Sequence, residues 1–266
     1  MNVPKTIWFL WLQGIVNAPI IVRKCYQSWL VQNPGWDVVV LDQSSIRDYV
    51  SIETLHMTPQ ALSDILRINI LAEHGGVWVD ATCFCMKPLD SWLFDNMSTG
   101  FFAFNRPGPD RMLSSWFLAS EINNRITLTY RDTVNGYWES NPGMVYFEDS
   151  EWGCLKGKLK EPEPQMWFES FVTKILKVHP YFWFHYLFEN LYLKDEEYKR
   201  LWDSTPNISA DIPHRLQFAG LFSPLTGQVR EEIDAKVAPL YKLTWKIDDL
   251  INWNGTVIEY LLAPGT

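Results

Sequence analysis

Pro59-Gln-Ala-Leu-Ser-Asp-Ile-Leu-Arg-Ile-Asn-Ile-Leu-Ala-Glu-His-Gly-Gly-Val-Trp-Val-Asp80-Ala-Thr82 is the stretch that decides the fold of this chain. Thr58 suits a helix N-cap, and Pro59 suits the first helical position, where no N–H partner is needed. Leu62, Ile65, Ile68 and Ala72 recur at helical spacing, so one stripe of the helix faces a core. Gly75-Gly76 tolerates the positive φ that ends a helix. Val77-Trp78-Val79 is then a short apolar strand that delivers Asp80 at its carboxyl end, the place where ligands bind in open α/β sheets. Asp64 and Arg67 stand at i and i+3 and leave the helix on one face. Alone they read as an intrahelical ion pair, and Asp80 alone reads as a turn cap. Together they predict one convergent polar site.

Outward from this stretch the pattern is α/β. Lys5 to Gly14 opens with an apolar run, as a central parallel strand buried on both faces requires. Pro19 to Asn33 reads as a helix with Ile20, Ile21, Cys25, Trp29 and Leu30 on one side, and Asn33-Pro34-Gly35 stops it. Val38 to Leu41 is a second buried strand, which completes a βαβ unit. Asp42 after it either caps a turn before Ser44-Ser45 or meets a ligand. Cys83–Met86, Phe101–Phe104 and Ser114–Ser120 read as strands, and Leu89–Asn96 and Ile122–Tyr137 as helical. The stretch from Asn141 to Gln165 is a Gly- and Pro-containing loop, a candidate insertion. Gln165 to Val178 is amphipathic and helical, and after His179-Pro180 a very aromatic helix carries His185. His214 and Arg215 fall in a loop, and Asp248 onward forms a terminal helix.

A length of 266 residues fits one domain, residues 1–266, with a sheet-bearing half over about 1–120 and a helical half over about 121–266. No apolar run reaches the roughly eighteen residues of a membrane span, and the N-terminus lacks a signal-peptide pattern. The expected location is cytoplasmic, with the aromatic stretch around His185 offering peripheral contact with the inner face of the plasma membrane. A net charge of −8 excludes a nucleic-acid partner, so an anionic ligand must meet a local basic cluster. Cys25, Cys83, Cys85 and Cys154 match neither a disulfide framework nor a zinc spacing and read as buried thiols. The 14 Trp suit a carbohydrate site, although most of them fill the core.

Ser63-Asp64-Ile65-Leu66-Arg67 followed by Gly75-Gly76-Val77-Trp78-Val79-Asp80 resembles the sugar-nucleotide site of GT-A-fold glycosyltransferases. The likeness is to bacterial capsular polysaccharide synthesis proteins and to a family 32-like sugar-binding region with a DXD motif. The resemblance implies a Rossmann-like GT-A fold with a mostly parallel central sheet and a helical acceptor-side part. It implies a hexosyltransferase that moves sugar from a nucleoside-diphosphate sugar, UDP-sugar favoured, to a glycan or lipid-linked oligosaccharide. Retention of anomeric configuration and a role in capsule or lipopolysaccharide O-antigen synthesis follow from the same likeness. Asp64, Arg67 and Asp80 would be catalytic. Trp11 would stack on the base, and Gln13, Thr82 and Lys242 would join the donor site, with Lys242 beside the leaving diphosphate. His185 would face the acceptor. Mn²⁺ or Mg²⁺ would bind Asp80 and His214, but Asp80-Ala81-Thr82 stands where Asp-X-Asp is usual. Metal assistance is therefore expected without being guaranteed; otherwise Arg67, Lys242 and Arg215 carry the charge.

Other classes fit less well. A nucleotidyltransferase shares the α/β start but needs a Gly-rich basic phosphate loop, and none follows Trp11. A non-catalytic sugar- or nucleotide-sugar-binding protein accounts for the aromatics and for Thr82, but not for Asp64 and Arg67 beside Asp80. A glycosidase needs two opposed carboxylates.

Overall fold

The computed structural model describes residues 2–49, 57–147, 164–246 and 252–263. The first half runs β1 (Thr6–Leu10), α1 (Ile20–Gln32), β2 (Asp37–Leu41), α2 (Pro59–His74), β3 (Gly76–Val79), β4 (Cys83–Cys85), β5 (Phe101–Gly108) and β6 (Arg111–Ser120). The second runs α3 (Arg125–Ser140), β7 (Val145–Tyr146), β8 (Val178–His179), α4 (Trp183–Lys194), α5 (Glu196–Asp203), α6 (Asp211–Ala219), α7 (Gly227–Asp234), β9 (Leu240–Lys242) and α8 (Val257–Leu261).

The central sheet has the order β2-β1-β3-β6-β5. β1 pairs in parallel with β2 and β3, while β6 is antiparallel to both β3 and β5. Four strands therefore point one way and β6 runs against them. The sheet is mixed rather than simply parallel because Gly108 pairs with Arg111 across a tight hairpin, which forces antiparallel pairing. β2 is an edge strand and only half-buried, which corrects its reading as a second buried strand.

Side chains alternate across a strand, so β1 and β3 feed two cores. Ile7, Phe9, Val77 and Val79 meet Ile21, Val22, Cys25 and Trp29 of α1 on one side. Trp8 and Trp78 meet Ile65 and Ile68 of α2 and Phe184 and Phe188 of α4 on the other. Thr58 caps α2 by accepting from Ala61 N at 3.2 Å, and Gly75 ends it with φ 62°. Gly76 (φ 91°) lies so close to β1 that an added Cβ would come within 2.6 Å of Thr6 O. Asp64 through Ala72 are all buried, so α2 is enclosed on more than the single stripe its periodicity predicted. Among the described residues β4 pairs with β9 alone, with Cys83 opposite Lys242.

Several sequence expectations need correction. Ile20 and Leu30 are exposed, because α1 packs through Ile21, Val22, Cys25, Ser28 and Trp29. The amphipathic segment at 165–178 is not an α-helix. It forms a 3-10 turn at Pro164–Phe168 and a π turn at Phe171–Leu176, then Lys177 turns left-handed (φ 52°) so that β8 can pair with β7. His214 and Arg215 lie on α6 rather than in a loop, with Pro213 in its first turn. Leu89–Asn96 consists of two 3-10 turns, Leu89–Ser91 and Phe94–Asn96. Among the described residues the terminal helix is Val257–Leu261, capped by Thr256, and Asp248 to Ile251 lie outside them. Cys25, Cys83 and Cys85 are free and buried. Cys154 and most of the 141–165 loop lie outside the described residues. Among the described residues no helix is long and apolar enough to cross a membrane.

Candidate functional site

Arg67 is the hub of the site. Its Nε donates to Ser63 O (3.1 Å), its Nη2 to Ser63 Oγ (2.8 Å) and its Nη1 to Ser115 O on β6 (2.6 Å). Nη2 also stands 3.3 Å from Asp64 Oδ1 and 3.4 Å from Asp80 Oδ1. The guanidinium lies 5.3 Å from the Trp78 ring centroid and 5.8 Å from that of Phe184. At 4% exposure its donor fork is occupied within the protein. A buried charge needs such partners, so Arg67 acts as the anchor that orients two carboxylates.

Asp80 leaves the carboxyl end of β3 and donates its N–H to Trp116 O at 2.8 Å, which fixes its backbone against β6. Its Oδ1 accepts from Trp78 Nε1 at 3.3 Å, and its Oδ2 lies 3.7 Å from Lys242 Nζ. Lys242 arrives on β9, where pairing with Cys83 sets its side chain next to Thr82. Lys242 Nζ donates to Thr82 Oγ1, and Leu243 N donates to Thr82 O at 2.8 Å. The Asp80 and Lys242 side chains remain 28% and 16% exposed, so this edge of the cluster opens to ligand.

The two carboxyls differ. Burial pushes Asp64 up to about 7, against the opposing charge of Arg67 and with a further push from Asp80. Burial also pushes Asp80 up, yet Arg67 and Lys242, with hydrogen bonds from Trp78 and Lys242, hold it below the usual carboxylate value. Arg67 and Lys242 thus face Asp80 and an Asp64 whose ionisation burial opposes, so two cations meet less than two full negative charges in an acidic protein. That is the local basic cluster an anionic ligand requires.

Of the residues singled out from sequence, Asp64, Arg67, Asp80, Thr82 and Lys242 come together. Trp11 leaves β1 at the same sheet end, since Phe9 pairs with Val79, and it packs edge-on against Trp245 at 5.8 Å. Gln13 is exposed, and its carbonyl accepts from Asn17 Nδ2. His185 is buried on α4 between Phe182 and Phe184, with Nδ1 lacking a partner. Burial first, then Arg111 and Arg67, push it down to about 3, so the ring is neutral at physiological pH. Asp42 caps its turn by accepting from Ser44 N and Ser45 N. Arg215 is paired with Glu232 at 3.0 Å.

His214 Nδ1 lies 2.8 Å from Gln217 Oε1, and the ring sits between Trp116 and Phe218. Among the described residues no three His, Cys, Asp or Glu side chains gather into a set that could hold a metal. The strand-end motif offers one carboxylate already facing two cations, and a hydroxyl already engaged by Lys242. That donor set does not suit a resident divalent ion.

Ser63, which opens the quoted motif, and Ser115 of β6 seat Arg67 through Ser63 Oγ and Ser115 O. Sequence reading missed Trp245, which pairs with Trp11 while remaining 47% exposed. The alternation Lys242-Leu-Thr-Trp245 beside the cluster was the available signal for it.

Comparison with known proteins places the chain among glycosyltransferases. The family described as capsular polysaccharide synthesis protein matches residues 1–148 and 164–261. "Uncharacterized glycosyltransferase L373" of Acanthamoeba polyphaga mimivirus is 26% identical over 170 residues, covering 53% of this chain and 68% of its own length. "O-glycosyltransferase braB" of Annulohypoxylon truncatum is 22% identical over 168 residues, 54% of this chain but only 40% of its own. The solved structure of the PaToxG glycosyltransferase covers 87% of this chain and 84% of itself at 15% identity with a TM-score of 0.41, a likeness too loose to bear on the fold.

Proposed function

The chain belongs to the capsular polysaccharide synthesis family and is a glycosyltransferase, and from that premise we propose that it moves a hexose from a nucleoside-diphosphate sugar to a glycan acceptor. A UDP-sugar is the favoured donor, and a glycan or lipid-linked oligosaccharide of bacterial capsule or O-antigen the favoured acceptor. The work would be done in the cytoplasm; Trp183, Phe184, Leu187 and Phe188 are buried, so the aromatic stretch around His185 offers no broad face to a membrane. The observation that carries this reading is the meeting of Asp64, Arg67, Asp80 and Lys242 at the carboxyl end of the parallel strands.

In this reading Asp80-Ala81-Thr82 takes the place of the DXD motif in a GT-A-type domain. Asp80 accepts from donor hydroxyls, and Arg67 holds Asp80 and Asp64 in place. Protonated Asp64 is a hydrogen-bond donor beside the sugar. Trp11 and Trp245 offer aromatic faces to the base, and Gln13 borders that slot. The bond from the anomeric carbon to the diphosphate oxygen breaks, and its electron pair leaves with the diphosphate. The acceptor oxygen forms the new bond to that carbon, and its proton passes to the departing phosphate. Entry of the acceptor beside the leaving group gives retention. His185, neutral and enclosed between Phe182 and Phe184, packs beneath the acceptor side rather than meeting the acceptor itself.

A donor screen that measures nucleoside-diphosphate release, with and without glycan acceptors, tests this. Acceptor-dependent release from one donor, abolished in a folded Asp80→Ala variant, is the expected result. Full turnover in that variant overturns the assignment of the site. Donor binding without release under any acceptor favours a binding protein instead.

A further inference from the structure

We propose that the Lys242 ammonium supplies here the positive charge that a divalent ion supplies where a strand-end motif carries two carboxylates, so that donor binding and transfer need no metal. The inference rests on the glycosyltransferase reading above and deepens it.

Four observations converge on Lys242. Its ammonium already bridges the first and third motif residues, 3.7 Å from Asp80 Oδ2 and hydrogen-bonded to Thr82 Oγ1. A divalent ion placed there would be repelled by the ammonium, and its one protein carboxylate, Asp80, already faces both Arg67 and Lys242. Arg67 is no substitute, because its guanidinium is spent on Ser63, Ser115, Asp64 and Asp80 and is almost fully buried. Lys242 differs on both counts. Contacts to Asp80 and Thr82 leave an N–H of its three for a phosphate oxygen, and the side chain retains access from solvent.

The charge is also preorganised. Cys83 pairs with Lys242, and Leu243 N donates to Thr82 O at 2.8 Å, so β9 cannot slide without breaking the ladder. An ammonium fixed beside the leaving oxygen stabilises negative charge as the anomeric bond breaks, and it need not give up a proton. Thr82 fits the same device. A carboxylate at that position would neutralise the ammonium, whereas a hydroxyl only orients it.

The test is calorimetric titration of UDP, GDP, ADP, CDP and dTDP into the full chain, in EDTA and then in Mn²⁺ or Mg²⁺. At least one nucleotide should bind with the same affinity in both media. Lys242→Met should weaken it tenfold or more, while Lys242→Arg should retain metal-free binding. The double variant Thr82→Asp/Lys242→Met should bind only when Mn²⁺ is present. Binding of the wild type only with added metal overturns the proposal, as does a folded Lys242→Met variant with wild-type affinity. No binding of any nucleotide in either medium overturns the donor reading itself and this inference with it.

Discussion

Two cations flank Asp80, one on α2 and one on β9, and they occupy opposite situations. Arg67 is enclosed, held by helix, sheet and two aromatic rings, with both of its carboxylate partners drawn from the protein. Lys242 is half-open and tethered by one hydroxyl and one carboxylate. A planar fork with five donors suits permanent burial, whereas a compact ammonium on a flexible stem suits contact with a ligand that comes and goes. Charge of the same sign thus serves architecture at one place and chemistry at the other.

The comparison breaks most sharply at Arg67. Arg67→Ala leaves the buried Asp64 without its cation and Asp80 with Lys242 alone, a class of change that costs about 3–5 kcal/mol. Urea denaturation should show that loss, and wild-type stability would reverse the assignment of the two roles. The next effect is functional. Lys242→Met should hold stability to within about 1 kcal/mol, as for a partly exposed ion pair. Nucleoside-diphosphate release should nevertheless fall by about 100-fold, the scale of losing one preorganised charge contact. Parallel denaturation and release assays on this variant measure the split. The smallest effect is on pH dependence. Asp64 is raised from 3.8 to about 7 in the folded chain, so between those values the folded state holds a proton that the unfolded state has released. Stability contributed by this group is therefore greatest at low pH and declines as pH rises through that window. Asp64→Asn should flatten the decline in melting temperature across the window, and an unchanged profile would place the titration elsewhere.

Much of this centre was legible in the chain because it is local. Thr58, Pro59, Gly75 and Gly76 punctuate one helix and one strand, and the spacing of Asp64, Arg67 and Asp80 follows from those boundaries. The same logic failed at 165–178, where apolar spacing is equally helical. That segment has no side-chain cap like Thr58, and the β7–β8 pairing takes its end, so the chain settles into 3-10 and π turns. The reversal of β6, the docking of Lys242 against Thr82 and the Trp11–Trp245 pair depend on register between distant segments. Nothing in the spacing of a single strand reveals such register. The loop placement of His214 fails for a simpler reason: Pro213 stands in the first turn of α6, where proline is tolerated.

The β4–β9 ladder is three residues long, yet it joins positions 160 apart and carries one wall of the centre. Its strands are mostly buried in the core, but a two-stranded ladder has fewer backbone bonds to lose than the five-stranded sheet. Warming should therefore silence the enzyme while its five-stranded frame is still intact. A nucleotide gripping both sides would rivet that seam shut, so substrate would guard the working form against heat.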